Sequence, residues 1–246
     1  MDSIYPALSG ALALEKRLEI ISNNVANVNT TGFKKSIAIF SGLNGDRPPG
    51  SPLPPVAFET FDRVVYDYSS GPMRATDAPL DFSIEGEGFF AVQTPQGVRY
   101  TRNGHFKMDD LGRIITSQGF PVLGAGGPIT LPLGRVLVDS DGRISVAESE
   151  SNGQRTEIDV LPVTVVQDPS GLVPVGESLF MATDGTAVSQ AEGRILQGSL
   201  EGSNVNPVEE MVSMIQVMRL YEAAQKTINT ADEAAAKAST EVGKIG

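Results

Sequence analysis

Few side chains in this 246-residue sequence carry the chemistry of a reaction or an ion site. Asp81 and Glu85 are close in the chain, as are Asp139 and Asp141, and paired carboxylates can share acid and base roles. Each pair falls in a predicted turn or on an exposed strand face, where solvation alone accounts for it. "DSDG", Asp139 to Gly142, has the opening acids of a calcium loop. The positions after it lack the glutamate that completes such a loop. His105 is the only histidine, and it has no serine or cysteine motif to serve as its nucleophile. One histidine and no cysteine exclude a multi-histidine metal site, a thiolate site and any disulfide. "GAGGP", Gly124 to Pro128, leads into proline and a strand, whereas a phosphate-cradling loop opens a helix. Met211, Met214 and Met218 share one helical face and read as packing rather than a cofactor box. Asn29-Thr30-Thr31 matches a glycosylation sequon, a frequent accidental pattern. The expectation is a protein that is not an enzyme and takes no metal or cofactor.

Charge narrows the partners. The formal net charge is −11, which argues against nucleic acid, because neutralising phosphates needs clustered Lys and Arg. No apolar run approaches the roughly 20 residues of a membrane span. Asp2 places a negative charge where a signal peptide has its basic region, and a helical repeat runs through the supposed cleavage region.

That repeat is the strongest pattern in the chain. Ile4, Ala11, Leu18 and Val25 recur every heptad, with Ala7, Leu14, Ile21 and Val28 as the offset series. Met214, Tyr221, Ile228 and Ala235 alternate in the same way with Val217, Ala224, Ala231 and Ala238 near the other end. Neither stripe can bury itself, so the two ends are expected to pack together. The first helix is predicted over Ser3 to Val28, stopped by Asn29-Thr30-Thr31-Gly32, with Gly32 as its left-handed C′ residue. Asn23, Asn24 and Asn27 fall off the seam, free to meet neighbouring chains, with a fraying helix end carrying Asn in its last turn as the alternative. The second helix is predicted to open with Asn206 as N-cap, Pro207 at N1 and Glu209 at N3, and to run to about Thr240.

Between the helices, residues 33–70 read as an extended, loop-rich linking segment, and Gly45 to Pro55 is too rich in Pro and Gly for a helix or a central strand. Residues 71–204 read as β. Phe82 and Ile84 alternate with polar neighbours, "TPQG" marks a turn, and Asn103-Gly104 is a hairpin signal. "DDLG" and "DSDG" each precede a strand beginning Arg-Ile. The fold class is α+β: long N- and C-terminal helices form an inner coiled-coil domain (1–32 and 205–246), with an all-β outer domain between them.

Three stretches resemble a known family. "SNNVANVNTTGFK", Ser22 to Lys34, is similar to the N-terminal signature of flagellar rod and hook proteins. "EGSNVNPVEEMVSMIQVMRLYEAAQKTINTADE", Glu201 to Glu233, resembles their closing helix, and "GPMRATDAPLDFSIEGEGFFAVQTPQGVRYTRNGHF", Gly71 to Phe106, resembles their rod-type β domain. Within the family, Pro121 to Pro132 and Thr230 to Ala238 resemble the proximal-rod branch, with the distal-rod branch as the alternative. A secreted enzyme or carbohydrate-binding β domain with helical ends is the reading outside the family. The resemblance implies a structural subunit of the bacterial flagellar basal-body rod that assembles helically and transmits torque. It implies copies of itself and other rod proteins as partners, with no nucleic acid among them. It also implies passage through the flagellar type III export apparatus without a cleaved signal peptide, to a periplasm-spanning rod. The heptad stripes and the Asn-rich motif give the expected helix-helix and assembly interface: Ile4, Leu14, Leu18, Ile21, Asn23, Asn24, Val25, Asn27 and Val28, and Met214, Val217, Tyr221, Ala224 and Ile228.

Overall fold

The structure, a computed structural model, describes residues 4–44, 57–147, 155–183, 185–191 and 193–242. It has an N-terminal helix, a β-rich middle and a C-terminal helix. The Gly45 to Pro55 stretch lies outside the described residues, as do the side chains of Ile4 and Ala7. Contacts divide the chain into two compact units. One comprises Met1–Ala26, Ser36–Tyr66 and Asn206–Gly246; the other comprises Asn27–Lys35 and Asp67–Val205.

The first unit holds helix α1 (Ile4–Ala26) and helix α2 (Pro207–Val242), which pack against each other. Asn206 caps α2: its Oδ1 accepts from Val208 N at 3.1 Å and from Glu209 N at 3.5 Å, with Pro207 at the position where a missing N–H costs nothing. The same unit includes part of the stretch read as a linking segment. Strands β1 (Ser36–Asn44) and β2 (Ala57–Tyr66) form an antiparallel pair in which Phe40 faces Phe61. Ile37, Ile39, Val64, Val65 and Tyr66 are β-branched or aromatic, the types that suit a pleated surface. The Phe40 and Phe61 rings meet edge-on at 6.0 Å. Arg17 of α1 lies over Phe40 at 4.7 Å and Lys16 over Phe61 at 5.5 Å, so the two faces are joined by cation–π contacts.

The second unit is antiparallel β throughout its named strands. Its four-stranded sheet runs in the order Leu172–Pro174, Leu179–Ala182, Gly97–Thr101, Phe90–Thr94, and a three-stranded sheet joins Arg135–Val138, Arg143–Ala147 and Arg155–Val160. The first and last strands of the unit, Met73–Ala75 and Ser199–Glu201, pair with each other and close it. Phe82, Ile84, Phe90, Val92 and Ile144 sit at the centre of its core. The two "Asp-x-x-Gly" turns are built alike. Asp109 Oδ1 accepts from the N–H of Leu111 and Arg113, and Asp139 Oδ1 from that of Asp141 and Arg143. The acid that suggested a calcium loop is therefore a turn cap.

Three local readings change. α1 ends at Ala26, so Val28 lies beyond the helix, in the segment grouped with the β unit. Gly32 has φ +67° but is no helix cap: a Cβ there would overlap the backbone of Arg102 and Asn103, and its N–H reaches Glu201 O at 2.8 Å. Asn103-Gly104 is not a hairpin turn either. Gly104 is the place where Phe82 N bonds its carbonyl at 3.0 Å, and an added Cβ would overlap the Phe82 carbonyl oxygen. Gly104→Ala should therefore destabilise the β unit by about 3 kcal/mol or more, as overpacking against backbone does. A urea midpoint by far-UV circular dichroism checks this; an unchanged midpoint contradicts the close approach.

Candidate functional site

The residues with chemistry do not form a catalytic constellation among the described residues. Asp81 Oδ1 meets His105 Nδ1 at 2.7 Å, whereas Glu85 turns to Arg194 at 3.3 Å. Asp81 and Glu85 thus have separate partners. No group of three or more acidic or histidine side chains in the described residues could hold a metal. No described helix is long and apolar enough to cross a membrane. What the structure concentrates instead is buried polar side chains, one cluster inside each unit.

In the β unit, Glu201 is fully buried and accepts from three directions. Its Oε1 takes Lys34 Nζ at 2.7 Å and Gly71 N at 2.9 Å; its Oε2 takes Arg102 Nη1 at 3.1 Å. Lys34, with no exposed side-chain surface, also donates to Ser69 O at 2.6 Å. Arg102 donates to Gly86 O at 2.6 Å and stacks over Phe89 at 5.4 Å. Burial pulls the Lys34 ammonium below its ordinary value, and the Glu201 carboxylate pulls the other way. Nearby, Asn204 accepts from Lys35 N at 2.7 Å and donates to Asp67 O at 2.8 Å. Two residues of the "EGSN" stretch thus fasten three other passages of the chain within the β unit.

In the helical unit, Asn24 is buried at 1 % exposure. Its amide donates to Ser36 O at 2.9 Å and Glu210 Oε2 at 3.1 Å, and its oxygen accepts from Ser36 N at 2.9 Å. The side chain expected to reach a neighbouring chain is instead satisfied by β1 and α2. Asn27 is no helix residue: it closes a turn, its Oδ1 accepting from Thr30 Oγ1 at 3.1 Å. Asn23 lines a groove of about 460 Å³ with Lys16, Glu19, Ser36 and Tyr66. Of the seam positions, Ile21 and Val217 are buried, while Leu14, Leu18, Val25, Met214, Tyr221, Ala224 and Ile228 are half-buried. Another face of α2 is open. Val208, Met211, Val212, Ile215 and Met218 follow helical spacing, and Met211 and Ile215 are 53 % and 52 % exposed.

Sequence reasoning missed Lys34, Ser36, Arg102, Glu201, Asn204 and Glu210 as partners. Lys34 lies in the Asn-rich motif, and Glu201, Asn204 and Glu210 lie in the closing motif. Their signal was two polar-rich stretches too costly to leave unmatched.

An N-terminal helix, a β middle and a long C-terminal helix are also the parts that known protein families recognise here. Residues 4–34 match the family described as flagella basal body rod protein, 83–146 the flagellar hook protein FlgE/F/G D1 domain, and 196–241 the flagellar basal body rod FlgEFG protein C-terminal region. The flagellar basal-body rod protein FlgF of Caulobacter vibrioides is 34 % identical over 251 residues, covering 99 % of both chains. FlgG of Buchnera aphidicola subsp. Schizaphis graminum is 34 % identical over 267 residues, covering 97 % of this chain and 99 % of its own. FlgG of Bacillus subtilis is 30 % identical over 258 residues, covering 95 % and 96 %. The chain belongs to the flagellar basal-body rod protein family, and its function is structural rather than enzymatic.

Two outcomes follow from the polar cluster. Glu201→Gln leaves Lys34 and Arg102 facing a neutral amide and should cost about 3–5 kcal/mol, read as a lower urea midpoint; an unchanged midpoint contradicts the buried ion pairs. The Ser69 N–H bonded at 2.9 Å holds Asp67 below its ordinary 3.8. A lowered folded-state pKa gives stability that is present above 3.8 and lost as pH falls through the folded value. Asp67→Asn should flatten the pH dependence of unfolding below that point, and an unchanged acid limb contradicts it.

Proposed function

We propose that this chain is a proximal-rod subunit whose helical unit is its assembling end, with α1 and α2 forming a two-helix coiled coil. Its partners are copies of itself and other rod proteins, and together they carry motor torque. The observation that carries this reading is the division of α2 into two apolar faces. Its seam residues are the more covered ones, and Val217 is buried, while Val208, Met211, Val212, Ile215 and Met218 remain open. Fully burying such a side chain contributes about 1.5–3 kcal/mol, so a lattice of neighbouring subunits has a driving force ready on that face. The proximal position is supported by the Pro121 to Pro132 and Thr230 to Ala238 stretches. Export through the flagellar type III apparatus to the periplasm-spanning rod belongs to the same reading. The absence of cysteine suits it, since no disulfide has to be undone before passage.

The test separates the two faces of the helical unit. Met211→Lys with Ile215→Lys changes the open face only. The chain should keep its urea midpoint yet fail to restore motility in a strain lacking its own copy. Leu18→Asp places a carboxylate on the seam, at a cost of several kcal/mol if unpaired; it should block assembly while the β unit still folds. Motility equal to the unsubstituted chain in either case contradicts the reading.

A further inference from the structure

The seam between α1 and α2 does not by itself say how far along each other the helices sit. Ala11, Leu14, Leu18, Ile21 and Val25 of α1 and Val217, Tyr221, Ala224 and Ile228 of α2 are all apolar or aromatic and recur by heptads, so a slip of one heptad again sets apolar on apolar. Asn24 and Glu210 are different. Both are buried, at the last turn of α1 and the first turn of α2, and they are bonded to each other at 3.1 Å. The end of one helix meeting the start of the other, in helices that pack together, makes the pair antiparallel.

We propose that Asn24 and Glu210 set the register of the helix pair, the residue types along the seam supplying attraction without position. Slippage would leave a buried amide and a buried carboxylate without each other, and an unmade buried hydrogen bond costs the full desolvation of its groups. Neither partner is free to follow a slipped helix. Asn24 is held by two bonds to the Ser36 backbone, at 2.9 Å each, and Glu210 lies in the turn that Asn206 caps, its N–H bonded to Asn206 O at 3.1 Å. Fixing register is the best-attested use of a single buried asparagine between paired helices, and Asn24, though off the heptad seam, is buried and bonded across the pair in the same way. Starting from this fixed end, equal steps along the two helices bring Leu14 opposite Leu220, one residue before the seam position Tyr221. The register pair thus decides which side chains every later layer presents to neighbouring subunits.

This inference rests on reading the helix pair as the assembling end, but its test uses the isolated full-length chain, so either can fail alone. The sequence has no cysteine, so two introduced cysteines are the only ones present. Leu14→Cys with Tyr221→Cys should form a disulfide at least about tenfold faster than Leu14→Cys with Met214→Cys, one heptad out of register. With Asn24→Leu added, the preference should fall to near parity. Glu210→Leu should do the same, and Glu210→Gln, which keeps an acceptor, should retain the preference. An undiminished preference in either leucine variant overturns the proposal. So does equal closure of the two cysteine pairs in the chain that keeps Asn24 and Glu210.

Discussion

A carboxylate with no access to water has to be met by charge and by hydrogen bonds, and Glu201 is such a group. Lys34, Gly71 and Arg102 come to it from three parts of the sequence, and its own carbonyl takes the Gly32 N–H. None of these groups is stable in the interior without the others. The cluster therefore makes the folding of the Asn27–Lys35 segment, the start of the β unit and its final strand a single event. Asn204 adds to this by joining Lys35, Asp67 and Ser69 within hydrogen-bond distance. Within the β unit, the Lys34–Lys35, Asp67–Gly71 and Glu201–Asn204 passages are thus held to one another by polar bonds.

The helical unit solves the opposite problem. Its interior end is fixed by the Asn24 amide, whose three bonds use both donors and the acceptor of the side chain. On another face of the same stretch, α2 leaves Val208, Met211, Val212, Ile215 and Met218 uncovered. A rod subunit has to be firm where its own chain is tied and adhesive where its neighbours arrive. The first third of α2 sets the two kinds of surface side by side: buried Glu210 in the first turn, and open Met211, Ile215 and Met218 on another face.

Local physics made part of this legible from sequence. Asn206-Pro207 announced the start of α2, because capping depends on residues within one turn. "DDLG", "DSDG" and "TPQG" announced turns for the same reason, with Thr94 paired to Gly97 across the last. The signals that failed were those whose partners are remote. Gly32 and Gly104 looked like a helix stop and a hairpin, but what demands glycine is backbone from elsewhere, at Arg102 and Phe82. Asn24 looked outward because it sits off the heptad seam; its position faces β1, a strand hidden in a stretch whose Pro-rich part drew the reading toward a loop. Lys34 and Glu201 stand out in the sequence only as members of motifs. Nothing in a one-dimensional pattern pairs a buried lysine with a glutamate 167 positions away.

The most direct measurement is a reconstruction of the intact basal-body rod that resolves side chains on α2. The account predicts Val208, Met211, Ile215 and Met218 buried against a neighbouring subunit, with Asn24 still bonded to Glu210 of its own chain. Finding that stripe facing water in the assembled rod, or Asn24 turned to another subunit, would contradict it.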